Sequence, residues 1–195
     1  KLLDQATLES ASWLGPVMAE AVHICKVNAS AGLSARPTMC FFVVTCAVQL
    51  VEIAARVESH AASMLESGVL EALDYACVNG FTYLDLSVSS NAAGAVVALV
   101  GRNEGGKTLS RSTVAAVVDG LALYFDPAHE YAFQQLAAKA VSAARRVATM
   151  AIADANKKVM LQHDKLLDTL VYGLLLDHNN PRRGQDGADA LQETC

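Results

Sequence analysis

The sequence predicts an all-α chain in which about three to four helical repeats stack as an α-solenoid. Three observations point there. Apolar residues return every three or four positions through most of the 195 residues, the period of a helix with one buried face. The helices fall into short, medium and long classes that follow one another in that order. Short segments also match at a spacing of 48 to 49 residues, and such a period marks stacked supersecondary units.

Taken in order, residues 2–13 read as a helix stopped by Gly15-Pro16, and Pro16 suits the first turn of a second helix to about Val27. Residues 28–37, NASAGLSARP, form a connection. From 38 to 57, Val44, Ala47, Val48, Val51, Ala54 and Ala55 make an apolar stripe, with Gln49, Glu52 and Arg56 on the other face. Residues 59–65 form a short helix, and Ser67 caps a helix over 68–77. Asn79-Gly80 ends it. Residues 81–87 have strand propensity but lack a partner run, so an irregular connection is expected.

Ser90 then caps a helix over 92–102, and a glycine turn leads to at most a short helix at 107–111. Ser112 or Thr113 caps the next, which carries Val114, Val117, Val118, Leu121 and Phe125. Asp126-Pro127 is the clearest helix start, with an acidic cap and proline in the first turn. That helix runs to about Asp154. Shorter helices follow over 156–162 and 165–176, and Asn180-Pro181 opens a last one towards Cys195.

The repeat is carried by three pentapeptides. Val69-Leu70-Glu71-Ala72-Leu73, Val117-Val118-Asp119-Gly120-Leu121 and Leu166-Leu167-Asp168-Thr169-Leu170 share one pattern at steps of 48 and 49. A leucine precedes each, at Leu65, Leu109 and Leu161. The long helices align on Ala47-Val48, Ala95-Val96, Ala140-Val141 and Ala190-Leu191, at steps of 48, 45 and 50. One domain of repeats over 38–195, preceded by helices and a loop over 1–37, is the expected organisation. With Lys1 at the start and a last helix expected to be still running at Cys195, a segment of a longer polypeptide is expected.

Composition narrows the function. Hydrophobic residues make up 53% and charged residues 18%, below the usual share of about 25%, so part of the surface is expected to be covered by other protein. A net charge of -5 with scattered cations points away from nucleic acid. The longest uncharged runs, 37–51 and 86–101, are shorter than the roughly 20 residues of a spanning helix, so no membrane span is expected. Five cysteines without C-x-x-C spacing predict a reducing intracellular setting, cytoplasmic in the broad sense. No histidine pair has metal-binding spacing, and no G-x-S-x-G elbow marks a hydrolase. No catalytic residue, metal or cofactor is assigned.

One motif competes. Gly101-Arg102-Asn103-Glu104-Gly105-Gly106-Lys107-Thr108 fits G-x-x-x-x-G-K-[ST], the phosphate loop of nucleotide hydrolases. As an NTPase site it would use Gly101, Gly106, Lys107 and Thr108. Such a loop needs a parallel sheet behind it, whereas the flanks here are helix-periodic. Lys107 also occupies the repeat position of Lys158, and Gly105-Gly106 is the turn between a long and a short helix.

The order short, medium, long, with alanine where long helices approach, resembles the armadillo repeat family and the related HEAT type over about 38–195. That resemblance implies a right-handed armadillo-like α-solenoid. It further implies a non-enzymatic scaffold or adaptor that binds protein partners within a larger assembly, among them cytoskeletal or ciliary ones. In such proteins the long helices line the binding groove. The implied partner-binding residues are Gln49, Glu52, Arg56, Arg102, Lys139, Arg145 and Arg146. Importin-type members carry an asparagine ladder, where this chain has Leu50, Ala98, Ala143 and Glu193, and its only tryptophan is Trp13. The departure favours a folded surface or helix as partner over an extended peptide.

Circular dichroism of the purified chain should give an overwhelmingly helical spectrum. Substantial sheet content would contradict the predicted fold class.

Overall fold

The computed structural model describes residues 19–21, 23, 24, 26, 27, 38–79, 82, 83, 86–101, 107–125 and 133–174. The expected first helix, the 28–37 connection, the Asp126-Pro127 start and the last helix from Asn180 lie outside the described residues. The described residues between 19 and 27 are helical, as expected for the second helix.

Helix follows helix: α1 (Thr38–Ala54), α2 (Glu58–Glu66), α3 (Val69–Asn79), α4 (Val88–Val100), α5 (Arg111–Phe125), α6 (Phe133–Met150), α7 (Asp154–Met160) and α8 (Leu166–Leu174). The all-α class therefore holds. Among the described residues the exception is 82–83 with 86–87, where the run with strand propensity pairs with itself. Strands β1 (Thr82–Tyr83) and β2 (Leu86–Ser87) are antiparallel, with Thr82 opposite Ser87 and Tyr83 opposite Leu86. A two-residue link supplies the missing partner.

The chain divides into two compact units, Lys1–Val100 and Gly101–Cys195. In the first, α4 packs against both α1 and α3, and α2 packs on α3. From Ala92 onward α4 is apolar all round, and nine of its thirteen residues are buried, Ala92, Ala93, Gly94 and Ala95 among them. Small side chains there let neighbouring backbones come close. In the second unit α5 is the hub. α6, α7 and α8 each pack on it, and α7 also touches α6.

Several helix ends differ from the sequence expectation. α4 begins two residues before Ser90, and Ser89 Oγ instead donates to Cys77 O at 2.6 Å. Ser67 closes α2 rather than opening α3: its hydroxyl donates to Met64 O at 2.7 Å, and its carbonyl accepts from Lys26 Nζ. Gly68 follows at φ +74, a left-handed conformation that glycine adopts without strain. Residues 107–110 are not helical, and α5 starts at Arg111. Its cap is Ser110, whose Oγ accepts from the Thr113 N–H at 3.2 Å.

The long helices α1 and α6 end alike. Ala55 N–H bonds Val51 O and Arg56 N–H bonds Ile53 O, as Ala151 bonds Val147 and Ile152 bonds Thr149. Val57 and Ala153 are then extended, at φ -96, ψ 116 and φ -89, ψ 127, and each accepts the first two bonds of the following short helix. Every equivalent pair is 96 residues apart, twice 48. Burial repeats at the same offset. Ala47, Val48, Val51, Ala54 and Val57 are buried, and so are Ala143, Ala144, Val147, Met150 and Ala153. Ala95, Val96 and Leu99 of α4 are buried midway between them.

This register corrects the alignment of the long helices. The counterpart of Ala47-Val48 is Ala143-Ala144 rather than Ala140-Val141, so the step from Ala95 is 48 and not 45. The leucine ahead of each pentapeptide is not equivalent either. Leu109 is buried, whereas Leu161 closes α7 and is 65% exposed. α7 is two residues shorter than α2, which moves the turn past it.

Met150 is fully buried where α1 has Ala54, so it carries the volume of the α6 end. Met150→Ala should cost about 2–5 kcal/mol in urea unfolding. Leu167→Ala, at a position 59% exposed, should stay within about 0.5 kcal/mol. Equal effects of the two would contradict this assignment of the core.

Candidate partner-binding surface

The seven residues expected to bind a partner do not behave alike. On α1, Gln49 is half-buried and Glu52 is buried. Glu52 Oε1 accepts from Arg56 Nη2 at 3.2 Å, one helical turn on. Arg56 is largely exposed, and such a pair on a helix is worth only about 0.3–0.5 kcal/mol. Glu52 therefore serves its own helix and offers a partner little. Arg102 lies outside the described residues. Lys139 sits in α6, Arg145 on that helix is exposed and Arg146 is half-buried.

In the 96-residue register Arg146 stands where α1 has Leu50, and Ala98 of α4 lies between; all three are half-buried. The position assigned to Ala143 in the ladder comparison thus belongs to Arg146, and Ala143 is core. Leucine, alanine and arginine occupy this row, so it still lacks asparagine.

The glycine-rich motif stands in helical surroundings. Ala95 to Val100, the run that would have to be a strand, is the second half of α4. Gly101 is buried, Gly106 lies outside the described residues, and Lys107 and Thr108 are exposed in the non-helical stretch ahead of α5. A phosphate loop places its lysine and hydroxyl at the opening of a helix, where backbone N–H groups converge on the anion. Here α5 opens at Arg111.

What closes this stretch is Asn156, a residue not singled out in the sequence. It is 1% exposed. Its Oδ1 accepts from the Leu109 N–H at 2.9 Å, and its Nδ2 donates to Gly101 O at 3.5 Å. One buried amide satisfies an acceptor at the first residue of the motif and a donor just past its end, groups that would be costly to bury unpaired. Leu109 itself is buried and pins the chain one residue before the cap Ser110. No sequence signal pointed to Asn156 beyond an asparagine inside a short helix, a residue type that favours caps and turns.

Asp119 of the second pentapeptide holds the other end of the α7–α8 turn. Its Oδ1 accepts from Lys165 Nζ at 3.3 Å and stands 3.8 Å from His163 Nε2. At the start of α7, Lys157 Nζ bonds Asp154 Oδ1 at 2.7 Å. That bond, then the charge of Lys157, holds the exposed Asp154 carboxyl below its usual range, and Lys158 adds to the effect. Cys77 is buried and Cys46 exposed, and both are free thiols. Among the described residues no group of His, Cys, Asp and Glu could hold a metal, and no helix is long and apolar enough to cross a membrane.

Comparison with protein-family models, with curated proteins and with solved structures finds no match.

Asn156→Ala should destabilise the chain by about 1–3 kcal/mol, because two buried backbone groups lose their partner. The Leu109 amide should exchange its hydrogen much faster than that of Val117. Unchanged exchange at Leu109 would show that the side-chain bond does not hold the loop.

Proposed function

We propose that the chain is a non-enzymatic interaction scaffold, built from armadillo-type helical repeats and working inside a larger protein assembly. The observation that carries this reading is the recurrence at 96 residues of the same buried positions and the same backbone bonds at the ends of α1 and α6. The packing of α4 on α1, long helix on long helix, supports it as well. A repeated unit of this kind buries one stripe against its neighbours and leaves the opposite face for a partner. In the first unit the residues offered are Gln49 and Arg56 on α1, and in the second, separately, Arg145 and Arg146 on α6. Binding, on this account, is surface complementarity with no bond made or broken, and a folded surface or helix is the partner it suits.

The competing function is nucleotide hydrolysis through Gly101, Gly106, Lys107 and Thr108. The helical run before the motif and the start of α5 beyond it both weigh against that function.

Native purification should return the chain in stoichiometric complex with another protein, and Arg145→Glu with Arg146→Glu should release it. Mg-ATP and Mg-GTP should leave the melting temperature unchanged. A bound nucleotide at a hundredfold excess over its Kd would add about 2.7 kcal/mol of stability. A nucleotide-dependent rise that disappears in Lys107→Ala would overturn the scaffold reading.

A further inference from the structure

We infer that His60 is the first unit's counterpart of Asn156, its imidazole holding the backbone N–H of Trp13 as the Asn156 amide holds that of Leu109. The bond would tie the chain ahead of residue 16 to α2. It lies within the first unit alone and needs no partner protein.

His60 and Asn156 stand at the same place in α2 and α7. His60 N–H bonds Val57 O at 3.0 Å, and Asn156 N–H bonds Ala153 O at 3.0 Å. One turn further on, Met64 and Met160 are both buried. The two polar side chains therefore leave their helices at one register position, each a turn ahead of a buried methionine. They differ in what they meet. Asn156 bonds the Leu109 N–H and the Gly101 carbonyl. His60 Nε2 is buried and meets no hydrogen-bond partner among the described residues. A buried polar atom left unpaired is costly, so the position calls for one.

The register names that partner. Leu109 lies 47 residues before Asn156, and the residue 47 before His60 is Trp13. Leu109 precedes α5, just as Trp13 precedes the helix that holds residues 19–27. A second contact gives that helix the place of α5. Lys26 Nζ donates to Ser67 O at the turn from α2 to α3. Asp119 on α5 accepts from Lys165 Nζ and stands beside His163 at the turn from α7 to α8. Ser67 and His163 are again 96 residues apart, and Lys26 answers to Ala122, one turn along α5 from Asp119. A helix seated in this way directs the chain just ahead of it towards His60.

The chemistry of the ring limits the contact to one bond. A neutral imidazole accepts at one nitrogen and donates at the other, so Nε2 takes an N–H only with the proton on Nδ1. The Gly101 contact of Asn156 then has no equivalent. The bond also requires Trp13 to lie past the last turn of the helix expected over 2–13, since an interior N–H is taken by the carbonyl four residues back.

The test is NMR of the full chain with the ring neutral. A nitrogen–nitrogen coupling across the hydrogen bond, from the Trp13 amide to His60 Nε2, is expected in the unaltered protein. His60→Ala should raise the exchange rate of the Trp13 amide about tenfold or more. It should also shift the emission of Trp13, the only tryptophan, to the red. His60→Asn, which restores an acceptor, should leave both near their original values. Absence of the coupling, or a proton found on Nε2, would overturn the inference. Unchanged exchange in His60→Ala would overturn it as well. So would an equal loss in His60→Asn, which would make the packing of the ring responsible and not its bond. The coupling decides the matter even where a variant does not fold. Its absence leaves the scaffold reading intact, since co-purification and the nucleotide melt decide that separately.

Discussion

A helix that is apolar on every side cannot leave one of them in water, and α4 imposes that constraint on the first unit. Each valine or leucine it buries is worth about 1.5–3 kcal/mol relative to exposure. α1 and α3 supply the covering surfaces. The demand for cover on several sides makes α4 a helix that exists only among others. A strand at the same place would have needed neighbouring strands, and among the described residues the only strands are the two-residue pair β1 and β2.

The second unit meets the same need with a different distribution. α6 buries Ala143, Ala144, Val147 and Met150 on one stripe and shows Ser142, Arg145 and Ala148 to solvent. Its buried positions coincide with those of α1, while its outer residues are free to change. Cys46 against Ser142, both exposed, and Leu50 against Arg146, both half-buried, illustrate that freedom. The division between a fixed inner stripe and a variable outer one is what an interaction scaffold requires. At the glycine motif, a single buried amide bonds the Gly101 carbonyl and the Leu109 N–H.

Much of this was legible in the sequence because helical periodicity is a long-range signal. The sites of α1, α2, α3, α5 and α7 follow from their stripes, and the spacing near 48 followed from pentapeptides that share a buried apolar first position and an exposed acidic third. Helix ends were read less well, since several hydroxyls compete for each cap. Ser110 was passed over for Ser112 or Thr113, and Ser67 turned out to close a helix rather than open one. The pairing of 82–83 with 86–87 has no separate second run in the sequence to mark it, because both strands fall within one short stretch. Among the candidate site residues, exposure separated Arg145 from Glu52, which share a charged character but not a position on the stripe. Asn156 was invisible, because its partners are backbone groups some fifty residues away, and backbone groups have no sequence signature.

Backbone chemical shifts of residues 92–110, recorded with and without Mg-ATP, test the central claim most directly. The account predicts helical shifts from Ala92 through Val100, non-helical shifts at Lys107 and Thr108, and no response to the nucleotide. Extended shifts over Ala95 to Val100, together with nucleotide-dependent movement of Lys107 and Thr108, would contradict it.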